Sequence, residues 1–193
     1  MAIFRRVWRG VVAGEIQVLL ALIIDFMTLT EIYKTQASGR PREAIIAARE
    51  RMPETIVGTR FWEALMHIIG DCLIDISDFY GAIHIYTEIV EALPDDSVAW
   101  SNRGYCLREA GQLEKALADY DTAITIEVRT SADRCDGILL CKAAELARAL
   151  GDESRAFSYL SAVLRDFPES KCGRALLGKW LPGKSGNTGE TIV

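Results

Sequence analysis

The 193-residue sequence has only five prolines, and its fifteen glycines show no short period. That excludes collagen-like and Gly/Pro low-complexity chains. Its five cysteines are odd in number and include no C-x-x-C pair, so they do not read as a disulfide framework or a zinc site. A reducing compartment, the cytoplasm, is the simplest expectation. The two histidines, His67 and His84, fall on different predicted helices without clustered ligand partners, and no metal site or cofactor is expected. A basic excess is also missing. Net charge is −5, and residues 15–170 hold 15 basic and 26 acidic side chains. An acidic body of this kind disfavours DNA or RNA as the main partner.

Hydrophobic runs of membrane length are absent too. Eleven of the fourteen residues 16–29 are apolar, but Glu15 and Asp25 bracket only nine positions. A spanning helix needs about 20. Arg5, Arg6 and Arg9 before this run imitate a signal peptide, yet no small-x-small cleavage site follows Ile24. The expectation is a buried first helix. The alternative is that residues 16–29 mediate self-association or peripheral membrane contact.

Half of the residues are hydrophobic, and a repeat organises them. Four six-residue stretches align, each ending in alanine: Gly39–Ala44, Ser77–Ala82, Gly111–Ala116 and Gly151–Ala156. The alanines lie 38, 34 and 40 residues apart. A longer apolar-periodic run precedes each stretch and a short helical pattern follows it. Pro53, Pro94 and Pro168 close three of the units. The unit is therefore helix, tight turn, helix, stop. Gly39, Gly111 and Gly151 suit a left-handed turn after a first helix. Small residues at Gly104/Ala116 and Ala144/Ala156 let paired helices approach closely. Tyr86, Tyr120 and Leu160 share one offset and are expected between helices. The six extra residues 131–136 are expected to prolong the following helix.

Residues 97–130 carry Trp100, Gly104, Leu107, Gly111, Ala116, Tyr120 and Ala123, and a unit of this length and pattern resembles the tetratricopeptide repeat (TPR). Residues 63–96 match through Gly70, Leu73, Ala82, Tyr86, Ile89 and Pro94. Residues 137–170 match through Leu140, Ala144, Ala147, Gly151, Ala156, Leu160, Val163 and Pro168. A degenerate unit covers 25–58. Residues 1–24 are then a basic N-terminus and the start of the apolar helix, 171–181 a capping helix, and 182–193 a flexible tail. The resemblance implies an all-α fold, a right-handed α-solenoid of antiparallel helix pairs with a C-terminal capping helix.

It also implies a non-catalytic scaffold or adaptor that binds a protein or peptide along the first helices of its pairs. Carried over by position, the ligand-facing residues are Ala64, His67, Ile68, Asp71 and Ile74 in one unit. The next supplies Val98, Ser101, Asn102, Tyr105 and Arg108, and the third Ile138, Cys141, Lys142, Glu145 and Arg148. Tyr105 with Asn102 and Arg108 combines a rigid aromatic, an amide and a cation, a composition favoured in binding hot spots. His67/Asp71, Ser101/Tyr105 and Ile138 depart from the family's chaperone-tail clamp, leaving only Asn102 and Lys142 in agreement. The alternative role is an assembly factor or secretion-type chaperone acting through the apolar first helix.

Two further motifs carry little. Gly178–Ser185 satisfies G-x-x-x-x-G-K-S, but no strand is predicted before it and eight residues remain after it, too few for the nucleotide-binding mechanism. The terminal Glu190-Thr-Ile-Val193 is similar to a PDZ-domain ligand. Cys72 and Cys106 share a repeat offset and read as small buried apolar residues.

Overall fold

A computed structural model describes residues 22–130 and 137–181. Among these residues there is no strand. The helices are α1 (residues 22–37), α2 (Pro41–Arg51), α3 (Arg60–Asp75), α4 (Phe79–Ala92), α5 (Ser97–Glu109), α6 (Leu113–Thr130), α7 (Ile138–Ala149), α8 (Glu153–Asp166) and α9 (Lys171–Trp180). A single 3₁₀ turn, Met52–Glu54, follows α2. The basic N-terminal residues, the 131–136 insertion and the terminal tail lie outside the described residues.

Local chemistry starts the helices where the repeat pattern places them. Asp96 accepts from Ala99 N–H at 3.0 Å, Asp152 from Arg155 N–H at 2.9 Å and Asp78 from Gly81 N–H at 3.0 Å. Each such cap contributes about 1 kcal/mol by satisfying an amide that has no partner inside the helix. Pro41 opens α2, where its missing N–H costs nothing.

The turns between paired helices share one backbone. Gly39, Ser77, Gly111 and Gly151 have φ of 74°, 61°, 75° and 82°. In each, the turn residue and its successor donate back to the preceding helix: Gly111 N–H to Arg108 at 3.0 Å and Gln112 N–H to Leu107 at 2.8 Å, for example. Three of the four positions use glycine for this left-handed conformation; Ser77 adopts it with a side chain.

The chain divides into two compact units, Met1–Ile85 and Tyr86–Val193, with the division inside α4. In the first, α2 packs on α3, with Ala44, Ile45 and Ala48 buried on one helix and Trp62, Leu65, Met66 and Ile69 on the other. Gln36 of α1 donates to Asp75 of α3 at 3.2 Å. The expected burial of the apolar first helix is not what its described part shows. Ile32 is buried, whereas Leu22, Ile23, Ile24, Phe26 and Met27 are 53–72% exposed. At about 100° per residue they cover an arc of roughly 200°, wider than a single packed face.

In the second unit α5 packs on α6, α6 on α7, α7 on α8, and α9 on both α7 and α8. Gly104 makes the α5–α6 approach possible. A Cβ there would stand 2.9 Å from the Tyr120 ring and 3.1 Å from the Ala116 carbonyl oxygen. The final alanines of all four hexapeptides, Ala44, Ala82, Ala116 and Ala156, have no exposed surface. Tyr86, Tyr120 and Leu160 are buried as their shared offset implies. α7 begins at Ile138 behind the left-handed Gly137, and the expectation for residues 131–136 lies outside the described residues.

Candidate functional site

Four of the nine predicted site residues, Ser101, Asn102, Tyr105 and Arg108, lie on α5 within two turns and are all half-buried. Asn102 donates to the Tyr86 hydroxyl at 3.2 Å. The Arg108 guanidinium sits over the Tyr105 ring, 5.1 Å from its centroid, and its Nε and a terminal nitrogen both donate to Glu109. The cation is thereby oriented before any partner arrives, which lowers the ordering cost of binding. Tyr120 lies nearby, fully buried, and its hydroxyl has no hydrogen-bond partner among the described residues. Burial pushes that hydroxyl up to about 12; the Arg108 charge opposes the shift and Glu109 adds to it.

Opposite chemistry stabilises the other side of the α5–α6 pair. Arg103 binds Asp119 through two nitrogens at 2.7 and 2.9 Å, reaches Thr87 at 3.4 Å and stacks 4.5 Å from the Trp100 ring centroid. Asp119 is only 5% exposed, so its charge depends on this fork for compensation. Sequence spacing conceals the pair, because its members lie sixteen residues apart on different helices.

Three more predicted residues, Lys142, Glu145 and Arg148, lie on α7. Arg148 stacks over Trp180 of α9 at 4.6 Å and pairs with Glu153 at 3.3 Å. Phe157 meets the same indole edge-on at 5.8 Å. Glu145, Arg148, Ala149, Lys179 and Trp180 line an open cavity of about 340 Å³. Lys179 and Trp180 were not expected at a site, since α9 is recognisable in sequence only as a cap.

Residues 97–127 and 140–170 each match a tetratricopeptide-repeat family model. This is a tetratricopeptide-repeat protein. Solved TPR structures share its fold at low identity. One is a putative kinesin light chain from Podosopora anserina with nearly identical TPR-like repeats. It is 13% identical, with a TM-score of 0.64 over 77% of this chain and 80% of its own. A tetratricopeptide repeat protein from Parabacteroides merdae is 20% identical, with a TM-score of 0.67 over 80% of this chain and 59% of its own. PilW, a type IV pilus biogenesis factor, is 18% identical, with a TM-score of 0.66 over 79% and 67% of the two chains. No curated protein matches the sequence. Proteins built from such repeats are in general protein-interaction scaffolds rather than catalysts.

Within the TPR framework, the remaining expected positions separate clearly. His67 and Asp71 are half-buried on α3, and Asp71 raises the Tyr33 hydroxyl of α1, a smaller effect than that of burial. Ile68 has no exposed surface and is a core residue. Val98 and Ile138 are 42% and 47% exposed. Cys141 corrects two expectations at once. It is 5% exposed rather than ligand-facing, and it forms a disulfide with Cys172 of α9 across a Cα–Cα distance of 6.4 Å. An odd cysteine count concealed that pair, because only packing brings α7 and α9 together. Cys72 and Cys106 are fully buried, as small apolar residues would be, and burial together with Asp75 and Asp71 pushes the Cys72 thiol up to about 11. Gly178 and Lys179 stand inside helix α9, and Gly183, Lys184 and Ser185 lie outside the described residues.

Proposed function

We propose that this TPR protein is a non-catalytic adaptor that grips a peptide segment of a partner protein, with Tyr105 of α5 as its anchor. The observation supporting this is the pre-set pair of Tyr105 and Arg108, partly exposed and held by Glu109. Ser101 and Asn102 add hydrogen-bonding groups on the same helix. Lys142, Glu145 and Arg148 extend the surface on α7. Charges of both signs favour a peptide with apolar or aromatic anchors over a uniformly acidic tail.

The test uses Tyr105→Ala combined with Arg108→Ala. Asn102 is left intact because it holds the buried Tyr86 hydroxyl. Partners captured by the wild-type chain from source cells are identified, then titrated against both proteins. Loss of a hot spot of about 2 kcal/mol weakens binding roughly thirtyfold while helical circular dichroism stays constant. Equal affinity for both proteins refutes the assignment.

A second reading rests on a separate observation. Leu22, Ile23, Ile24, Phe26 and Met27 place a large apolar area in solvent. This supports self-association or membrane-surface attachment through α1. Ile23→Glu with Phe26→Glu should then abolish any dimer in sedimentation and any flotation with liposomes. Wild-type protein that is monomeric and does not float eliminates this reading.

A further inference from the structure

We infer that Cys141 and Cys172 form a reversible redox latch that controls the order of the last TPR unit. The bond connects the first helix of that unit, α7, to the helix that follows it, α9. It therefore closes a ring containing the remainder of α7, all of α8 and the start of α9.

The two sulfurs are suited to different steps. Cys172 lies in the first turn of α9, half-buried, with its sulfur 3.0 Å from the hydroxyl of Ser170, the residue that caps the helix. A helix N-terminus stabilises a thiolate, and partial exposure admits a small reagent. Cys141 is nearly inaccessible, which leaves Cys172 as the more exposed sulfur of the pair. In oxidation, the Cys172 thiolate attacks a small-molecule disulfide such as oxidised glutathione, forming a mixed disulfide and releasing one thiol. The Cys141 thiolate then attacks the Cys172 sulfur and expels the second thiol. The protein pair loses two electrons and two protons, and the external disulfide gains both. An external dithiol reverses the sequence.

Reduction does not release α9 completely. Trp180 still stacks on Arg148 and Phe157, and Leu176 remains buried. The end near Cys172 has less to hold it: Gly173 sits against Val163, and Ser170 caps the first turn. Reduction thus loosens α7–α9 while α5–α6 keep their own packing. Because α7 carries Lys142, Glu145 and Arg148, the latch also governs that part of the peptide surface, a consequence that rests on the adaptor reading. The latch itself does not.

The test compares full-length wild-type protein incubated with reduced or oxidised glutathione. Non-reducing peptide mapping should recover Cys141 linked to Cys172, and reduction should accelerate hydrogen exchange in α8 and α9 by about tenfold or more, with α5 and α6 unchanged. Cys172→Ser should show the faster exchange under both conditions. Absence of the link, a link to another cysteine, or equal exchange in the two wild-type states overturns the latch. Partner affinity unaffected by redox state, with the exchange difference present, would sink only the adaptor consequence.

Discussion

Replacing Ser77 with glycine should stabilise this protein, although it deletes atoms. Ser77 holds a φ of 61°, while the equivalent Gly39, Gly111 and Gly151 hold 74°, 75° and 82°. The turn hydrogen bonds are alike. Ser77 N–H meets Ile74 at 2.8 Å and Asp78 N–H meets Leu73 at 2.8 Å, against 3.0 and 2.8 Å at Gly111. A side chain in left-handed geometry costs roughly 1–2 kcal/mol. Glycine gives back about 0.5–1 kcal/mol through the freedom it adds to the unfolded chain. The net expectation for Ser77→Gly is a gain of about 0.5–1 kcal/mol. The reverse change, Gly111→Ser, should cost a similar amount, and a Cβ there meets nothing within 4 Å, so the backbone alone sets the effect. Urea titrations followed by helical circular dichroism measure both, with hydrogen exchange at the α3–α4 and α5–α6 turns locating the change. A Ser77→Gly protein no more stable than wild type, alongside a destabilised Gly111→Ser protein, would refute the reasoning.

Other substitutions probe the packing. Gly104→Ala gains helix propensity but drives its Cβ against the Tyr120 ring and Ala116 backbone, so a net loss of about 1 kcal/mol is expected by urea titration. Asp119→Ala strands the largely buried Arg103 guanidinium and should cost about 3 kcal/mol, whereas Arg103→Met with Asp119→Leu should recover much of the loss. Tyr120→Phe removes a buried hydroxyl without a partner, so stability at pH 7 should be unchanged or slightly higher. It should also change the alkaline limb. The folded Tyr120 retains its proton up to about 12 while the unfolded chain releases it near 10, so wild-type stability falls as pH rises between those values. The phenylalanine variant lacks this contribution and should show a shallower decline in pH-dependent urea titrations.

Much of the fold was legible because it depends on local periodicity. The repeated hexapeptides locate the turns, and their last alanines are without exposed surface in every unit. Asp78, Asp96 and Asp152 mark helix starts through hydrogen bonds spanning only three residues. The candidate surface was legible only in part. Tyr105 and Arg108 meet because three helical positions separate them, a spacing visible in the chain. Ile68 and Cys141 occupy family ligand positions and are nevertheless buried, since exposure depends on which neighbouring helix covers a face. The apolar run gave the opposite error: Leu22, Ile23, Ile24, Phe26 and Met27 are exposed although their composition suits a core.

By itself, the sequence determined the helical unit, its turn backbone and the small residues at which helices approach. Those features are set by interactions within a few residues or by side-chain size. Only the tertiary structure decided that Cys141 meets Cys172, that Arg103 meets Asp119 and that Arg148 stacks on Trp180. Each pairing joins different helices, and the crossing of those helices, rather than any spacing along the chain, selects the partners.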